Sequence, residues 1–411
     1  MKILGLIVEY NPLHKGHLYH INKSKELTGA DAVICVMSGN FVQRGIPALL
    51  DKWNRGKIAV ENGVDLVLEL PALYSLSSAE FFSYGAVTLL NSLGIVDSLC
   101  FGSETGDVKP LLNIAEILTN EPDGYKTILK DKLKEGLSFP SARSNALHDY
   151  IRSLGECNEL NEYDIENLLS TSNNILGIEY CKSLLKLKST IKPFSIKRLG
   201  GEYNSEDLHS LFSSATAIRK SLKKDTDLNY IYHSIPYETF NILEELRKNN
   251  YNFVFEESIA PFIRHKLLTN YKLLKNIPDV SEGIENKLLQ AAKHNFTLDS
   301  IINSAKSKRY THTRISRILC QFFVGFEQFN IAELRSNPCP YGRVLALNSI
   351  GAKILKLLKA NTSIPIYTKF PKSKDNTLLI DLNSTAAYSI LNQKISPNED
   401  FIKSPYIKLH D

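Results

Sequence analysis

The residues with the clearest chemical potential form the run Asn11-Pro12-Leu13-His14-Lys15-Gly16-His17. It follows an apolar stretch and opens a helix-like segment. Gly16 lets the backbone approach a phosphate closely, and the N–H groups at a helix start attract anions. Imidazole N–H groups at such a terminus can stabilise charge that builds on a phosphoryl group and its leaving group. The pattern therefore predicts attack on a nucleotide phosphate, with His14 and His17 as catalytic residues.

The same histidines have two other interpretations. His14, His17 and His20 recur on one helix face, where a histidine is more often packed than catalytic, and for His20 we adopt this structural interpretation. A metal site would need further ligands, and no carboxylate or fourth ligand falls at a helical spacing beside the three. We therefore expect no metal held by protein side chains here.

Four nearly continuous apolar runs of strand length must position these residues, at 3–9, 32–37, 65–70 and 96–101. Helix-like segments lie between them. Strands that alternate with helices predict an α/β fold with a parallel, doubly wound sheet covered on both faces. Ligands bind at the carboxyl ends of such strands, so the chemistry is expected in the loops that follow them. A further strand is predicted at 194–200.

A helix is predicted to begin in the segment 213–219, with the sequence SSATAIR. Its serines suit the N-cap of a helix. Thr216 and Arg219 lie one helical turn apart and can face the same anion. An ordinary capped helix is the alternative interpretation.

The chain is predicted to have two domains, 1–225 with the nucleotide site and 226–411 with a mostly helical region. Amphipathic helices dominate from about 230 to 326. The tail from about 340 mixes a helix with three strand-like runs, RVLALN, IPIYTKF and TLLIDLN. These runs predict a small α/β appendage.

Charge is distributed unevenly along the 411 residues, whose net charge is +5. Residues 1–260 carry 27 Lys and Arg against 33 Asp and Glu, whereas residues 261–411 carry 22 against 11. Such an excess of cations is typical of a region that meets phosphate backbones.

A basic segment at 306–317 lies within this cationic region. Its arginines can grip RNA phosphates while Tyr310 stacks a base, although a solvated basic helix is the commoner meaning of such a run. The predicted RNA-binding residues are Lys308, Arg309, Tyr310, Arg314 and Arg317.

Composition indicates a soluble globular protein, with 43% hydrophobic and 23% charged residues. No apolar run is long enough to span a membrane, and the apolar start of the chain lacks the features of a signal peptide. The six cysteines are scattered without zinc or redox spacing, which fits reduced thiols. We therefore expect a cytoplasmic protein without a membrane partner.

The segment IVEYNPLHKGH resembles the first signature of the HxGH nucleotidyltransferase superfamily. The segment SSATAIR resembles the second signature, with Ala215 as one extra residue. Within that superfamily, longer strings resemble the bacterial tRNA(Met) cytidine acetate ligases. These strings are VEYNPLHKGH, SGNFVQRGIPA, ELPALYSLSSAEFFSYGAV, FGSE, SNNILGIEY, KRYTHTRISRIL and RVLALNSIGAKIL.

This resemblance implies an enzyme that uses ATP to adenylate acetate. It then passes the acetyl group to N4 of the wobble cytidine of elongator tRNA(Met), giving N4-acetylcytidine. Mg²⁺ is expected on the triphosphate from the chemistry, with no dedicated protein ligand evident. The sequence leaves the oligomeric state open.

The resemblance also implies which residues bind ATP. Thr216 and Arg219 would hold the β- and γ-phosphates. The other ATP-binding residues would be Ile7, Val8, Glu9, Tyr10, Asn11, Pro12, Leu13, His14, Lys15, Gly16, His17, Leu18, Tyr19, His20, Gly102, Asn173 and Arg198. Two choices stay open from the residues alone, because Asn174 adjoins Asn173 and Lys197 adjoins Arg198.

Two other functions remain open from the motifs. One is a nucleotidyltransferase that joins ATP to a small cofactor precursor, and the other is a non-catalytic RNA-binding protein with a relic nucleotide site. For the acetate ligase, the loop at 38–45, with Phe41 and Arg44, is a candidate lid over the acetate.

Overall fold

The computed structural model describes residues 1–137, 139–155, 160, 163–198, 213–224, 227–373 and 375–409. The chain divides into two compact units, Met1–Val96 together with Leu199–Asp411, and Asp97–Arg198. The predicted domain boundary after residue 225 lies outside the described residues and stays a prediction.

Ten strands occur in the described residues. They are β1 (Ile3–Val8), β2 (Ala32–Ser38), β3 (Phe41–Val42), β4 (Ile46–Pro47), β5 (Leu66–Leu70), β6 (Ser98–Ser103), β7 (Lys192–Lys197), β8 (Gly342–Leu347), β9 (Ile366–Tyr367) and β10 (Tyr406–Ile407).

Nineteen α-helices occur in the same residues. They are α1 (Lys15–Thr28), α2 (Lys52–Glu61), α3 (Ala72–Ser75), α4 (Ala79–Ser92), α5 (Lys109–Asn120), α6 (Asp123–Lys134), α7 (Phe139–Ser153), α8 (Ile165–Ser170), α9 (Ser172–Lys186), α10 (Ala215–Lys224), α11 (Tyr237–Lys248), α12 (Ala260–Asn270), α13 (Ile284–His294), α14 (Leu298–Ala305), α15 (His312–Val324), α16 (Ile331–Ser336), α17 (Ser349–Asn361), α18 (Asn376–Leu391) and α19 (Glu399–Ile402). Short 3₁₀ helices span Leu228–Ser234, Glu256–Ile259, Tyr271–Asn276 and Phe326–Gln328.

The first unit is built on a sheet with the strand order β10, β8, β5, β2, β1, and β9 pairs with β8. The pairs β1–β2 and β2–β5 are parallel, as the continuous apolar runs predict. Every residue of β2 and β5 is buried, which requires cover on both faces. The predicted α/β class is thus confirmed, with mixed rather than purely parallel pairing.

The expected C-terminal appendage is wrong. The run RVLALN forms β8, which is fully buried and pairs antiparallel with β5 in the main sheet. The run TLLIDLN, predicted as a strand, lies in helix α18. The Asp375 carboxylate caps that helix by accepting hydrogen bonds from the N–H groups of Thr377 and Leu378. A local cap and a buried helix face therefore decide between helix and strand where a short apolar run does not.

Helices between 237 and 324 build the predicted helical region. Helices α12 to α15 share one hydrophobic core, in which Ile263, Leu288, Ile301, Leu319 and Phe322 are completely or almost completely buried. In the described part of the chain, no helix is long and apolar enough to cross a membrane.

The second unit holds a parallel pair of strands, β6 and β7, with Ser98 opposite Lys192 and Ser103 opposite Lys197. The strand predicted at 194–200 is therefore present as β7. Gly177 of α9 lies against Phe101, where a Cβ atom would come within 2.6 Å of the ring. This close approach fixes α9 against β6.

The described cysteines are all free and buried. Burial raises the pKa of the Cys35 thiol to about 12, and it does the same for Cys181. Such thiols stay protonated near neutral pH, so their chemistry is that of small hydrophobic residues. Cys157 lies outside the described residues.

A buried group of charges joins the C-terminal elements to the sheet. The Lys52 ammonium lies 2.7 Å from carboxylate oxygens of both Glu69 and Asp400. The Arg343 guanidinium contacts the same two carboxylates. Because each charge has an opposite partner, the group can be buried without isolated ions, and breaking one partnership would leave a costly unpaired charge.

Asp381 lies beside this group and is 1% exposed. Its carboxylate accepts a 2.7 Å hydrogen bond from the Ala72 N–H and bonds the Tyr341 hydroxyl. Burial, with the Glu69 charge adding to it, raises the pKa of Asp381 to about 7. Lys52 and the two hydrogen bonds oppose this rise.

We predict that Asp381→Asn changes the pH dependence of stability. Between about pH 4 and pH 7 the folded protein keeps a proton on Asp381 that the unfolded chain releases, so this group makes the wild-type free energy of unfolding fall as pH rises. Asparagine keeps the acceptor for Ala72 but does not titrate. Urea unfolding at pH 5 and pH 8 should show the variant gaining stability relative to the wild type at the higher pH. Parallel profiles would contradict this, and Asp375→Asn, at the exposed cap of α18, is the matched control.

Candidate nucleotide site and basic helix

The HxGH loop, defined here as residues 9–17, begins where β1 ends. Tyr10 adopts a left-handed backbone conformation with φ of 46°, although it is not glycine, and its side chain is buried. Asn11 is also buried, and its side-chain oxygen accepts a 2.8 Å hydrogen bond from the Leu49 N–H. The peptide between Asn11 and Pro12 is cis. Backbone strain at a non-glycine residue is typical of functional loops that their surroundings hold firmly.

His14 is the N-cap of α1. Its Nδ1 accepts a 3.1 Å hydrogen bond from the Gly16 N–H, and its own backbone N–H donates to His17 Nδ1 at 3.3 Å. The two rings stack with centroids 3.8 Å apart, and Tyr10 packs edge-on against His17 at 5.1 Å. Backbone hydrogen bonds and ring packing therefore orient both imidazoles.

These hydrogen bonds determine the tautomer of each neutral ring. An Nδ1 atom that accepts a backbone N–H carries no proton, so the proton of each neutral imidazole lies on Nε2. Both Nε2 atoms are then hydrogen-bond donors at the N-terminus of α1. Donors at a helix N-terminus suit a polyphosphate ligand, since the helix dipole adds to the attraction.

The side chain of Arg55 holds the base of this loop. It is fully buried in α2 and donates hydrogen bonds to three backbone oxygens. These oxygens belong to Glu9 at 2.7 Å, to Leu50 at 3.0 Å, and to Gly39. Sequence reasoning missed Arg55, although an arginine three residues before an apolar residue, Ile58, is a detectable signal in a helix that is mostly buried.

Glu9 is surrounded by arginines. Its carboxylate accepts a 2.8 Å hydrogen bond from the Gln43 N–H. Burial raises the pKa of Glu9 above its ordinary value, while the Gln43 N–H and the charges of Arg44, Arg55 and Arg219 lower it. Three cations near one carboxylate leave the surroundings of the loop electropositive.

Helix α10 brings the second predicted segment to the same loop. The Ser214 hydroxyl accepts a 3.1 Å hydrogen bond from the Ala217 N–H, which confirms the predicted serine cap. Arg219 donates to the Asn11 carbonyl oxygen at 2.8 Å and to the Thr216 hydroxyl at 3.4 Å. Thr216 and Arg219 therefore lie on one side of α10, beside the HxGH loop, despite the extra residue Ala215.

The other predicted residues of this segment occupy two elements. Ile7 and Val8 end β1, and Pro12 and Leu13 lie in the buried part of the loop. Lys15, Leu18, Tyr19 and His20 lie in α1 and are partly buried.

The second unit brings Gly102, Asn173 and Arg198 together. Arg198 donates to the Asn173 side-chain oxygen at 3.0 Å, and a Cβ atom on Gly102 would lie 3.1 Å from the Arg198 side chain. Arg198 rather than Lys197 is therefore the cation beside Asn173. Their role in binding ATP stays a prediction.

Glu104 is the last residue of the FGSE string, and the sequence patterns predicted no role for it. Its side chain lies at the N-terminus of α9. Its carboxylate accepts hydrogen bonds from the Asn173 side chain at 2.7 Å and from the Asn174 N–H at 2.8 Å. Asn174 is buried, and its side-chain oxygen accepts from the Glu104 N–H. Asn173, which is partly exposed, is thus the more accessible of the two asparagines.

The base-stacking role expected of Tyr310 is wrong. The side chain is 4% exposed and belongs to the core of the helical region. Its hydroxyl donates to the Ser281 carbonyl oxygen at 2.6 Å, and the Arg314 guanidinium covers its ring at 4.2 Å. An aromatic residue in a basic run can thus serve as an anchor that orients an arginine.

The predicted RNA-binding cations differ in exposure. Lys308 and Arg309 are exposed before α15, and Arg309 pairs with Glu282. Arg314 is partly buried and donates to the Asp279 carbonyl oxygen at 2.8 Å. Burial lowers the pKa of Arg317 from its ordinary value. The cations most accessible to a large ligand are therefore Lys308 and Arg309.

The loop expected to cover acetate is largely a packed hairpin. Phe41 is fully buried and packs edge-on against Phe323 and Tyr388, at 6.1 Å from each. The role of this loop over acetate stays a prediction. At Gly45, φ is 76°, and a Cβ atom would lie 2.3 Å from the Arg317 backbone nitrogen. The Ser316 hydroxyl donates to the Gly45 carbonyl oxygen at 2.9 Å. The hairpin β3–β4 thus joins the HxGH loop, through Gln43 and Glu9, to the basic helix α15.

Comparisons with known proteins agree on one family. The family model described as HIGH Nucleotidyl Transferase matches residues 1–401. A Clostridium novyi (strain NT) protein named tRNA(Met) cytidine acetate ligase is 53% identical over 409 residues, covering 99% of this chain and 100% of its own. A Clostridium tetani protein of the same name is 50% identical over 408 residues, with coverages of 99% and 100%.

Solved structures give the same result. The crystal structure of Thermotoga maritima TmcAL bound with alpha-thio ATP matches with a TM-score of 0.88 at 34% identity, covering 100% of both chains. The apo structure of the same Thermotoga protein matches with a TM-score of 0.89 at 34% identity, again over 100% of both chains.

We predict that His14→Ala destabilises the fold by about 0.5–2 kcal/mol, because α1 loses its N-cap acceptor. His14→Asn should cost less, since asparagine is among the best N-cap residues. Urea unfolding of both variants measures the difference. Equal losses in the two variants would show that ring packing, rather than the cap, carries the effect.

Proposed function

Because this chain belongs to the HIGH nucleotidyl transferases and, among them, to the tRNA(Met) cytidine acetate ligases, we propose that it acetylates the wobble cytidine of elongator tRNA(Met) at the expense of ATP. The proposed reaction with ATP is supported by one observation. Two oriented imidazoles lie at the N-terminus of α1, with Arg219 beside them. The site would receive the triphosphate, and acetate would be the carboxylate that it activates.

The reaction has two steps. An acetate oxygen attacks the α-phosphorus of ATP, the bond from that phosphorus to the β-bridging oxygen breaks, and pyrophosphate leaves. The N4 amine of cytidine then attacks the acyl carbon of acetyl-AMP, the bond from that carbon to the phosphate oxygen breaks, and AMP leaves. The nitrogen releases one proton, and the tRNA carries N4-acetylcytidine. No covalent enzyme intermediate is needed, since positioning supplies much of the acceleration.

The residues of the HxGH loop would stabilise negative charge on the phosphates. The Nε2–H groups of His14 and His17 would stabilise the negative charge that builds on the α-phosphoryl group and on the departing pyrophosphate. Arg219, held by the Asn11 carbonyl and Thr216, would bind the outer phosphates. The electropositive surroundings of Glu9 favour such a polyanion.

Mg²⁺ would accompany the triphosphate, as its chemistry requires. Among the described residues, no group of three or more His, Cys, Asp and Glu side chains is placed to hold a metal ion.

The basic region would hold the tRNA. Lys308 and Arg309 precede α15, whose Ser316 contacts the hairpin next to the HxGH loop. Cations at this place would grip phosphates of an RNA while its base enters the site. A tRNA substrate also implies a cytoplasmic location.

We predict that His17→Asn lowers acetate-dependent exchange of pyrophosphate into ATP by about 10²–10³-fold, the loss typical of removing one donor to a developing charge. Transfer from synthetic acetyl-AMP to tRNA should fall much less, because that step comes after pyrophosphate has left. Exposed His294 offers the matched control His294→Asn, which should match the wild type in both assays. Mass analysis of tRNA nucleosides measures transfer, and a wild-type enzyme that yields no N4-acetylcytidine from ATP, acetate and tRNA would refute the proposed function.

We predict that the double variant Lys308→Ala/Arg309→Ala raises KM for tRNA several-fold and leaves acetate-dependent pyrophosphate exchange unchanged. Each lost phosphate contact should also reduce the salt dependence of log KM by about 0.7–0.9. Lys126→Ala/Lys130→Ala, an exposed pair on α6, is the control for general charge loss. Equal effects of the two double variants would assign the change to net charge rather than to a contact.

A further inference from the structure

Large aromatic side chains are exposed together around the start of α11. Tyr230 is 62% exposed, Tyr232 is 45% exposed, and Tyr237 is 63% exposed. The Tyr232 ring lies 4.9 Å from that of Phe240 in a T-shaped arrangement, and Tyr237 and Phe240 lie one turn apart on α11. We call Tyr230, Tyr232, Tyr237 and Phe240 the tyrosine patch. The three tyrosines are exposed and Phe240 is partly buried. Exposed aromatic rings are the groups on which nucleobases stack.

Two hydrogen bonds and helix α10 connect the tyrosine patch to the HxGH loop. Ser234 ends the 3₁₀ helix that carries Tyr230 and Tyr232, and its hydroxyl hydrogen-bonds that of Ser213 at 3.0 Å. Ser213 directly precedes the cap of α10. Arg219 in that helix contacts Asn11 of the HxGH loop. The patch therefore lies beside the base of the helix that reaches the nucleotide site.

Helix α10 adds charge next to the aromatic rings. It carries Arg219, Lys220, Lys223 and Lys224, and it has no carboxylate. Lys220, Lys223 and Lys224 are exposed, and Lys223 lies 3.7 Å from Glu256 in an exposed pair. A cationic helix beside exposed aromatic rings combines the two elements of single-strand recognition, a grip on the backbone and a platform for bases.

We infer that the tyrosine patch and the cationic side of α10 bind unpaired nucleotides of the RNA substrate next to the cytidine that is acetylated. This inference rests on the proposed function, and it adds the surface that receives the loop of the RNA. The cytidine must leave its stack to reach the acyl carbon, so its neighbours lose a stacking partner. The exposed tyrosine rings supply a replacement, while the lysines of α10 contact the phosphates.

A second copy of this chain is the competing occupant of an exposed aromatic surface. The lysines favour RNA, because two copies would bring the same cations together, whereas RNA supplies the opposite charge. The test below separates the two.

The test compares two triple variants at Tyr230, Tyr232 and Tyr237. Changing all three to Ala removes the rings and should raise KM for tRNA about tenfold or more, with acetate-dependent pyrophosphate exchange unchanged. Changing all three to Phe keeps the rings and should restore KM to within about twofold of the wild type. Phe401→Ala removes an exposed aromatic ring outside the patch and should leave KM for tRNA as it is.

Two further measurements keep the outcomes distinct. Binding of a fluorescent anticodon stem-loop RNA should weaken in parallel with the KM change, and light scattering should give the same mass for wild type and Ala variant. The inference is overturned if the Ala variant keeps the wild-type KM, if it loses pyrophosphate exchange equally, or if it changes only the oligomeric state. Failure of the proposed function itself would appear separately, as a wild-type enzyme that acetylates no tRNA.

Discussion

The geometry of the site depends on the hydrogen bonds that the buried guanidinium of Arg55 donates to three backbone oxygens. It donates to backbone oxygens of Glu9, Gly39 and Leu50, which lie after β1, after β2 and before α2. A buried guanidinium is tolerated only with its donors satisfied, and these carbonyls are buried acceptors that need donors in turn. Each loop therefore fixes the position of the others. The strained Tyr10 backbone and the capping His14 lie in the loop whose first carbonyl is held by Arg55.

The site places hydrogen-bond donors and a cation together at the start of α1, an arrangement that suits a polyanion. In both histidines Nδ1 accepts a hydrogen bond from a backbone N–H. Each neutral ring therefore carries its own N–H at Nε2, at the N-terminus of α1. Arg219 comes from a helix two hundred residues later, where the Asn11 carbonyl holds it. The Glu9 carboxylate offsets part of the positive charge of the three arginines around it.

Sequence patterns predicted the parts of this arrangement that local physics decides. The buried strands, the helix start at His14 and the serine cap before α10 follow from short-range preferences, and the structure contains each of them. Patterns failed where long-range packing decides. Tyr310 is an anchor because Ser281 lies near it in space, and Phe41 is buried because Phe323 and Tyr388 cover it. The run at 377–383 is helical because its buried face packs against α3 and α15, which no local count of apolar residues reveals. Arg55 was missed because its partners are backbone oxygens, which the sequence does not mark. Glu104 was missed because Asn173 and Asn174 are distant from it in the sequence.

The order of strands has a consequence for how the protein is made. The partner of β5 in the sheet is β8, which lies 272 positions after it when counted from Leu70 to Gly342. A growing chain on the ribosome therefore exposes one side of β5 until most of its length has been synthesised, since only parallel neighbours are available before then. A prematurely terminated chain would retain every histidine of the HxGH loop and still present an open, apolar sheet margin. Such fragments are candidates for capture by chaperones and for degradation.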